Sequence, residues 1–370
     1  MNEFSLRLNC QGDDNFHLAI DCQLPASGIT AIYGPSGSGK TTLLNCLAGL
    51  RPADSGSLIR FLGDTWQSDS QFTPPWQRNI GFVFQDARLF PHLSVEQNLN
   101  FALQRRTSPT NSTLDNITFD TVIDWLHLDA LLNRLPENLS AGQVQRVAIG
   151  RALLSAPRLL LMDEPLANLD HAARQECLYY LRRLRNSLQL PMLYVSHDIE
   201  EVSQIADHLV LIENGRIESQ GSLLDLCSRL DTRISHEEQA AAIINGTINN
   251  HDTRYGLTEV EVAGETLLVS HLEEIIGQQR RLRIPARDVS ICRERPLDSS
   301  ILNIVPVELT EIEETTGSRV LLRLALGEQY LLARITRKSA EALHLTTGDK
   351  VFAQIKSVAL LTEAFTEAIE

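Results

Sequence analysis

The 370-residue chain has no uncharged apolar run of the length, about 20 residues, that crosses a bilayer as a helix. Its start, Met1-Asn-Glu-Phe-Ser-Leu-Arg-Leu, carries an early glutamate and lacks the apolar core of a signal peptide. A soluble protein is expected, with any membrane role exercised through a partner. Positive charge is also in deficit: 33 Lys and Arg stand against 47 Asp and Glu, a net charge of −14. This argues against a general nucleic-acid binder, which presents a basic surface, and against attachment to lipid through a polybasic patch. The six cysteines (Cys10, Cys22, Cys46, Cys177, Cys227, Cys292) include no pair two residues apart and no cluster with histidine at zinc-ligand spacing. They read as buried thiols of a reducing compartment.

What is present is an ordinary globular composition, 43% hydrophobic and 22% charged, at a length that suits two or three domains. From Ile29 to Ile212 short apolar strands alternate with helical patterns, which signals a mostly parallel sheet covered by helices. Strands are expected at Ile29–Tyr33, Asn79–Phe84, Leu159–Met162, Met192–Ser196 and His208–Ile212, and helices at Gly39–Ala48 and Ala141–Leu154. Arg105–Asn116, rich in Thr, Ser and Asn, reads as a surface loop before an amphipathic helix around Phe119–Leu128. After Gly221 the texture changes. Ile234–Gln239 has the polarity of a linker, and from about Ile243 short β-branched segments alternate with Gly, Asn and Asp turns. The expected division is residues 1–232 as the α/β domain, 233–242 as linker, 243–297 as a β lobe and 298–365 as a second, barrel-like all-β domain. Arg283-Ile-Pro-Ala-Arg-Asp-Val and Ala353-Gln-Ile-Lys-Ser-Val echo one another, a faint sign of duplication.

Gly34-Pro35-Ser36-Gly37-Ser38-Gly39-Lys40-Thr41-Thr42 fits the phosphate-binding P-loop, between a strand and a helix as that chemistry requires. Its glycines let backbone N–H groups curl around phosphates, and the helix start adds partial positive charge. Lys40 would reach the β- and γ-phosphates, and the Thr41 hydroxyl would hold Mg²⁺. Leu159-Leu-Leu-Met-Asp-Glu164 is a buried strand ending in two acids: Asp163 suits the metal and Glu164 a general base for water. Leu139-Ser-Ala-Gly-Gln143 opens an apolar helix, where Ser140 and the N–H groups near Gly142 can face a phosphate. Taken alone, that last pattern is also an ordinary helix cap.

With Gln85, Asn168-Leu-Asp170 and His197, these elements fall in the order of the ABC ATPases, and the first 230 or so residues resemble that family: Walker A, Q-loop, signature, Walker B, D-loop and switch histidine. The resemblance implies a head-to-tail homodimer sandwiching two ATP molecules. Each would be held by Gly34–Thr42 of one subunit and by Ser140, Gly142 and Gln143 of the other, with Asp170 speaking across the dimer. Glu164, His197 and Gln85 would be catalytic, and Thr41, Gln85 and Asp163 would hold Mg²⁺. Ala141 and Val144 depart from the usual signature. The family commonly stacks an aromatic on adenine ahead of Walker A, and Phe16 is the nearest candidate, at a shorter spacing than usual.

Gly81-Phe-Val-Phe-Gln-Asp-Ala-Arg-Leu-Phe-Pro-His92, Arg146-Val-Ala-Ile-Gly-Arg-Ala-Leu153 and Tyr194-Val-Ser-His197 resemble the molybdate importer ATPases. Ser300-Ile-Leu-Asn303, Ala333-Arg-Ile-Thr336-Arg-Lys-Ser339 and Ala353-Gln-Ile-Lys-Ser357 resemble the Mop domain, a small β-barrel binding molybdate or tungstate, with Leu302 where that domain often has arginine. This resemblance implies the ATP-hydrolysing subunit of an importer, peripheral on the cytoplasmic face of the bacterial inner membrane. It implies docking on a permease dimer and service, indirectly, to a periplasmic oxyanion-binding protein. Thr336, Ser339 and Lys356 are the candidate oxyanion ligands, two hydroxyls and a cation suited to a tetrahedral dianion. Sulfate, ferric-iron and polyamine importers are the alternative. Residues 86–100, with Leu89, Phe90, Leu93 and Val95, are expected to offer an apolar surface to the permease.

Overall fold

The computed structural model describes residues 4–12, 16–106, 117–188, 190–272, 274–314, 317–356 and 359–360. Most of the expected loop at 105–116, and the C-terminal end of the expected 298–365 domain, lie outside them. The chain forms two compact units, Met1–Gly221 and Ser222–Glu370.

The first unit contains strands β1 (Phe4–Gln11), β2 (His17–Leu24), β3 (Ile29–Tyr33), β4 (Leu58–Phe61), β5 (Asp64–Ser68), β6 (Gln71–Phe72), β7 (Ile80–Val83), β8 (Leu159–Asp163), β9 (Met192–Ser196), β10 (His208–Glu213) and β11 (Arg216–Ser222). Its helices are α1 (Lys40–Ala48), α2 (Val95–Gln104), α3 (Phe119–Leu126), α4 (Ala141–Leu154), α5 (His171–Ser187) and α6 (Ile199–Ile205). The strands join in one sheet of order β6-β5-β4-β1-β2-β11-β10-β3-β9-β8-β7. Strands β10, β3, β9, β8 and β7 run parallel. Every residue of β3, β8 and β9 is buried, as parallel strands covered on both faces must be. By contrast β1 alternates buried and more open positions and pairs antiparallel with β2 and β4. That alternation marks a strand with one face on the core.

Helix α1 is closed by glycines at both ends, with Gly39 and Gly49 in left-handed conformations at φ 102° and 73°. Its C-terminal carbonyls meet a buried cation. Arg78, 1% exposed, donates through Nη1 to Cys46 O and Leu47 O at 2.8 and 2.7 Å, and through Nε to Thr73 O at 2.7 Å. Burial lowers its pKa to about 10, leaving it charged at neutral pH.

Helices α2, α3 and α4 pack together as a helical subdomain. Asn98, fully buried, ties the segment ahead of it: its Oδ1 accepts from Phe90 N, and its Nδ2 donates to Phe90 O, Leu93 O and Ser94 O. Val95, expected on a docking surface, is 0% exposed and belongs to the core. Leu89, Phe90 and Leu93 are half-buried, and the exposed residues of the segment are Asp86, Arg88, Pro91, His92, Glu96 and Gln97.

The second unit holds α7 (Leu223–Leu226), α8 (Arg233–His236), α9 (Arg337–Ala342) and strands β12 (Ala241–Asp252), β13 (Leu257–Val262), β14 (Glu265–Ser270), β15 (Gln279–Pro285), β16 (Val289–Cys292), β17 (Asn303–Glu314), β18 (Arg319–Leu326), β19 (Gln329–Thr336), β20 (Lys350–Ile355) and β21 (Ala359–Leu360). They make two five-stranded sheets, β14-β13-β12-β15-β21 and β16-β20-β17-β18-β19. Each is a three-stranded meander whose first strand takes a further strand on its other edge. Both first strands are 12 residues long and bulged, at Ile248/Asn250 and at Leu309/Glu311. The final strand of each lobe is exchanged: β16 pairs with β20, and β21 with β15.

This geometry makes the sequence echo a structural duplication and redraws the expected boundaries. The segment Arg281–Ile291 is two strands in different sheets, split by a turn at Ala286–Asp288. A cut near 297 would therefore take a strand from each sheet. Residues 233–242, read as linker, lie within the second unit and form α8 and the start of β12, with Ile234 and Ser235 buried at 1% exposure. Side-chain amides stitch the lobes: Gln329 bonds both backbone groups of Asn245, and Asn303 both those of Leu268.

Candidate functional site

The P-loop leaves β3 and enters α1. A Cβ built on Gly34 would lie 2.1 Å from Ile212 O, a backbone atom that cannot swing aside, so only glycine fits there. Lys40 is 4% exposed, and its Nζ donates to Gly34 O and Pro35 O at 2.9 and 2.8 Å. Burial lowers its pKa, while Glu164 and Asp163 pull it back up. Ser38 Oγ, in the middle of the loop, is buried without a hydrogen-bond partner.

Sheet order places β9 beside β3 and β8 beside β9, all parallel, so their C-terminal ends open toward this loop. Asp163 ends β8, and its Oδ1 accepts from Thr41 Oγ1 at 3.1 Å. Burial raises the Asp163 pKa and the Thr41 bond opposes it; Glu164 adds to the rise and Lys40 opposes it. Glu164 follows in a left-handed conformation at φ 43°, a strained geometry for a non-glycine residue of the kind that gathers at functional sites. Its Oε1 lies 3.8 Å from Lys40 Nζ and its Oε2 3.1 Å from Nδ1 of His197, which follows β9. Three strand ends thus deliver Lys40, Thr41, Asp163, Glu164 and His197 to one place. Gln85 is exposed just beyond β7, the next strand outward.

The other expected ligands sit at the starts of α4 and α5 and just ahead of β2. Ser140 caps α4 with Gln143 in a reciprocal box: Ser140 Oγ accepts from Gln143 N at 3.3 Å, and Gln143 Oε1 from Ser140 N at 3.0 Å. Helix α4 packs on α2, α3, α5 and β7, whereas α1 packs on β8. Gly142 faces Ala173 of α5, where an added Cβ would come within 3.0 Å. Asp170 caps α5 by accepting from Ala173 N at 2.9 Å. Phe16 lies against the P-loop: a Cβ on Gly39 would sit 2.8 Å from its ring.

In the second unit Thr336 caps α9 by accepting from Ser339 N, with its Oγ1 2.8 Å from Ser339 Oγ. Thr336 lines a cavity of about 220 Å³ with Arg287, Arg319, Arg334 and Glu238. Lys356 lines a different one, of about 340 Å³, with Ser300, Leu302 and Asn303. The structure therefore does not bring Thr336 and Ser339 together with Lys356 in one cavity. Sequence reading passed over the three arginines, because a lone arginine on a strand carries no sign of where it points.

The fold and the convergent P-loop define an ABC-type ATPase. A family model for the ABC transporter matches residues 18–167, and one for the TOBE domain matches 299–361. The solved structure of cbiO1 from Clostridium perfringens, part of the ABC transporter complex cbiONQ, is 28% identical at a TM-score of 0.51, covering 59% of this chain and 88% of that one. The molybdenum import ATP-binding protein ModC 1 of Azotobacter vinelandii is 46% identical over 349 residues, 94% of this chain and 95% of that protein. ModC of Pseudomonas aeruginosa is 45% identical over 351 residues, 94% and 96% of the two. The chain belongs to the ModC family of molybdenum import ATP-binding proteins.

Proposed function

We propose that the chain hydrolyses ATP at the ends of β3, β8 and β9 to energise molybdate import, with Glu164 as the general base. The observation that carries this is the chain of contacts from Lys40 through Glu164 to His197: one carboxylate faces the phosphate-binding lysine with one oxygen and the histidine with the other. Glu164 takes the proton of the attacking water, and His197 holds that carboxylate and the γ-phosphate in line. Lys40 turns from the Gly34 and Pro35 carbonyls to the β- and γ-phosphates, and Ser38 Oγ, orphaned in the loop, gains a phosphate oxygen as partner. Phe16, whose ring lies against Gly39, is the aromatic assigned to adenine in this reading. Thr41 and Asp163, with Gln85, offer the hard oxygen donors that suit Mg²⁺, which would supply charge for the phosphates. Ser140, Gly142 and Gln143, at the start of a helix that packs on α2, α3, α5 and β7, serve the ATP of a second copy in this reading, with Asp170 at that same junction. Replacing Glu164 by its amide separates binding from hydrolysis and tests the assignment.

The working assembly is a homodimer under a membrane permease dimer, on the cytoplasmic face of the inner membrane, fed by a periplasmic oxyanion-binding protein. No helix among the described residues is long and apolar enough to cross a membrane, which suits a peripheral subunit. Tungstate shares molybdate's shape and charge and is accepted as an alternative cargo.

A second reading concerns the TOBE region. The Arg287, Arg319, Arg334 and Thr336 cavity supplies the charge and the hydroxyl that a tetrahedral dianion needs. Lys356 and Ser300 join such a site only across a contact with another copy. Calorimetry on the full chain with molybdate, tungstate and sulfate separates these cases. Loss of molybdate binding in Arg287→Gln alone places the anion within one chain, and loss in Lys356→Ala places it between copies. No binding by the unmodified chain leaves the region a structural module.

A further inference from the structure

The loop of His197 is held from behind by charged groups outside every motif of the ATP site. Glu201, on α6, is 5% exposed, and its Oε2 accepts from Tyr194 OH and from Ser196 Oγ at 2.9 Å each. Its other oxygen makes an ion pair with Arg174 Nε at 3.3 Å. The Arg174 guanidinium reaches two further groups, donating through Nη1 to Asp198 Oδ2 at 3.2 Å and through Nη2 to Leu169 O at 3.3 Å. Ser196 Oγ in turn accepts from Asp198 N at 3.0 Å.

His197 therefore sits between two anchored neighbours, Ser196 and Asp198. The guanidinium that anchors them also grips a carbonyl of the D-loop, Asn168-Leu-Asp170. A buried carboxylate with a guanidinium is poor evidence of stabilisation, because desolvation offsets most of the attraction and an apolar replacement often serves the fold as well. What such a pair does supply is direction. A guanidinium is a planar fork whose donors have fixed angles, so its two hydrogen bonds tie Asp198 to Leu169, while Glu201, paired with Nε by charge without a hydrogen bond, holds the fork in place. Displacing a reacting group by about an ångström can cost on the order of 10² in rate, and the 3.1 Å contact from His197 to Glu164 is the distance at stake.

We propose that Arg174 and Glu201 are positioning residues that lock the loop of His197 to the D-loop, so that the histidine meets Glu164 only when the D-loop is in place. The proposal rests on the catalytic reading of His197. It adds that the D-loop, which in the proposed homodimer faces the opposite nucleotide, controls hydrolysis through this guanidinium.

The test uses the full chain with MgATP and measures steady-state and single-turnover hydrolysis, nucleotide binding and thermal midpoint. Arg174→Lys keeps the charge but loses the fork. It is expected to lower kcat about tenfold with KM within about twofold, the pattern of an interaction made in the transition state alone. Glu201→Gln keeps acceptors for Tyr194 and Ser196 but loses the ion pair, and serves as the second variant should the first not fold. In a His197→Ala background, either change should cost less than about twofold more, since residues acting through one another are not additive. A tenfold loss repeated in that background, or unchanged kcat in both single variants, overturns the proposal. Full turnover in His197→Ala alone would instead sink the histidine's catalytic role, and the coupling with it.

Discussion

Glu164→Gln is expected to bind ATP as the unmodified chain does and to turn over roughly 10²–10⁴ times more slowly, the usual contribution of a general base. Glutamine has nearly the same shape, so the strained φ of 43° and the acceptor facing His197 at 3.1 Å can persist. What disappears is the proton acceptor, together with the negative charge 3.8 Å from Lys40. With hydrolysis blocked, the ATP sandwich is not released, and size-exclusion in the presence of MgATP should show a stable dimer. Rate assays and the elution profile read the two halves independently. A variant that is both fully active and monomeric would remove Glu164 from the mechanism.

The largest effect on stability is expected from Arg78→Met. The replacement fills much of the same space but leaves Leu47 O and Thr73 O without their donor inside the core, and Cys46 O with the Gly49 N–H alone. Buried acceptors stripped of partners cost about 1–3 kcal/mol each. With partial relaxation the loss is roughly 3–5 kcal/mol, at the exceptional end for one substitution. For a unit of this size that corresponds to a fall of roughly 10 °C in thermal midpoint. Two of those carbonyls end the helix that begins at the P-loop, so the loss should also loosen ATP binding. Calorimetric melting of the full chain measures it, and a midpoint within about 2 °C of the unmodified chain would show the guanidinium to be dispensable.

Much of this was legible in the residues because backbone chemistry leaves local marks. Glycines that must curl round phosphate, an apolar run ending in two acids, and the serine–glutamine box opening α4 each occupy a short window. Their strands and helices were placed within one residue: Ile29–Tyr33, Ala141–Leu154 and Met192–Ser196 match the structure at both ends. Elements whose pattern is set by distant partners were not legible. β1 and β2 alternate too mildly to stand out, and the 12-residue β12 carries Asn245, Gly246 and Asn250, turn-like residues that its neighbours nevertheless hold extended. The exchange of β16 and β21 depends on pairings more than 60 residues apart, such as Val289 with Ile355, and no local periodicity records it. Charged groups were the hardest. In sequence Arg78, Arg174 and Glu201 look like the solvated charges around them, and only three-dimensional packing shows Arg78 and Glu201 buried and Arg174 drawn to Leu169 O and to the Asp198 and Glu201 carboxylates.

Uptake of radiolabelled molybdate, by sealed vesicles carrying this chain with its permease and oxyanion-binding protein, tests the central claim most directly. ATP on the side of the chain should drive molybdate across, molybdate should be preferred over sulfate, and the same vesicles with Glu164→Gln should take up almost none while still binding ATP. Vesicles whose ATP turnover is normal but whose molybdate content stays at the level without ATP would contradict it.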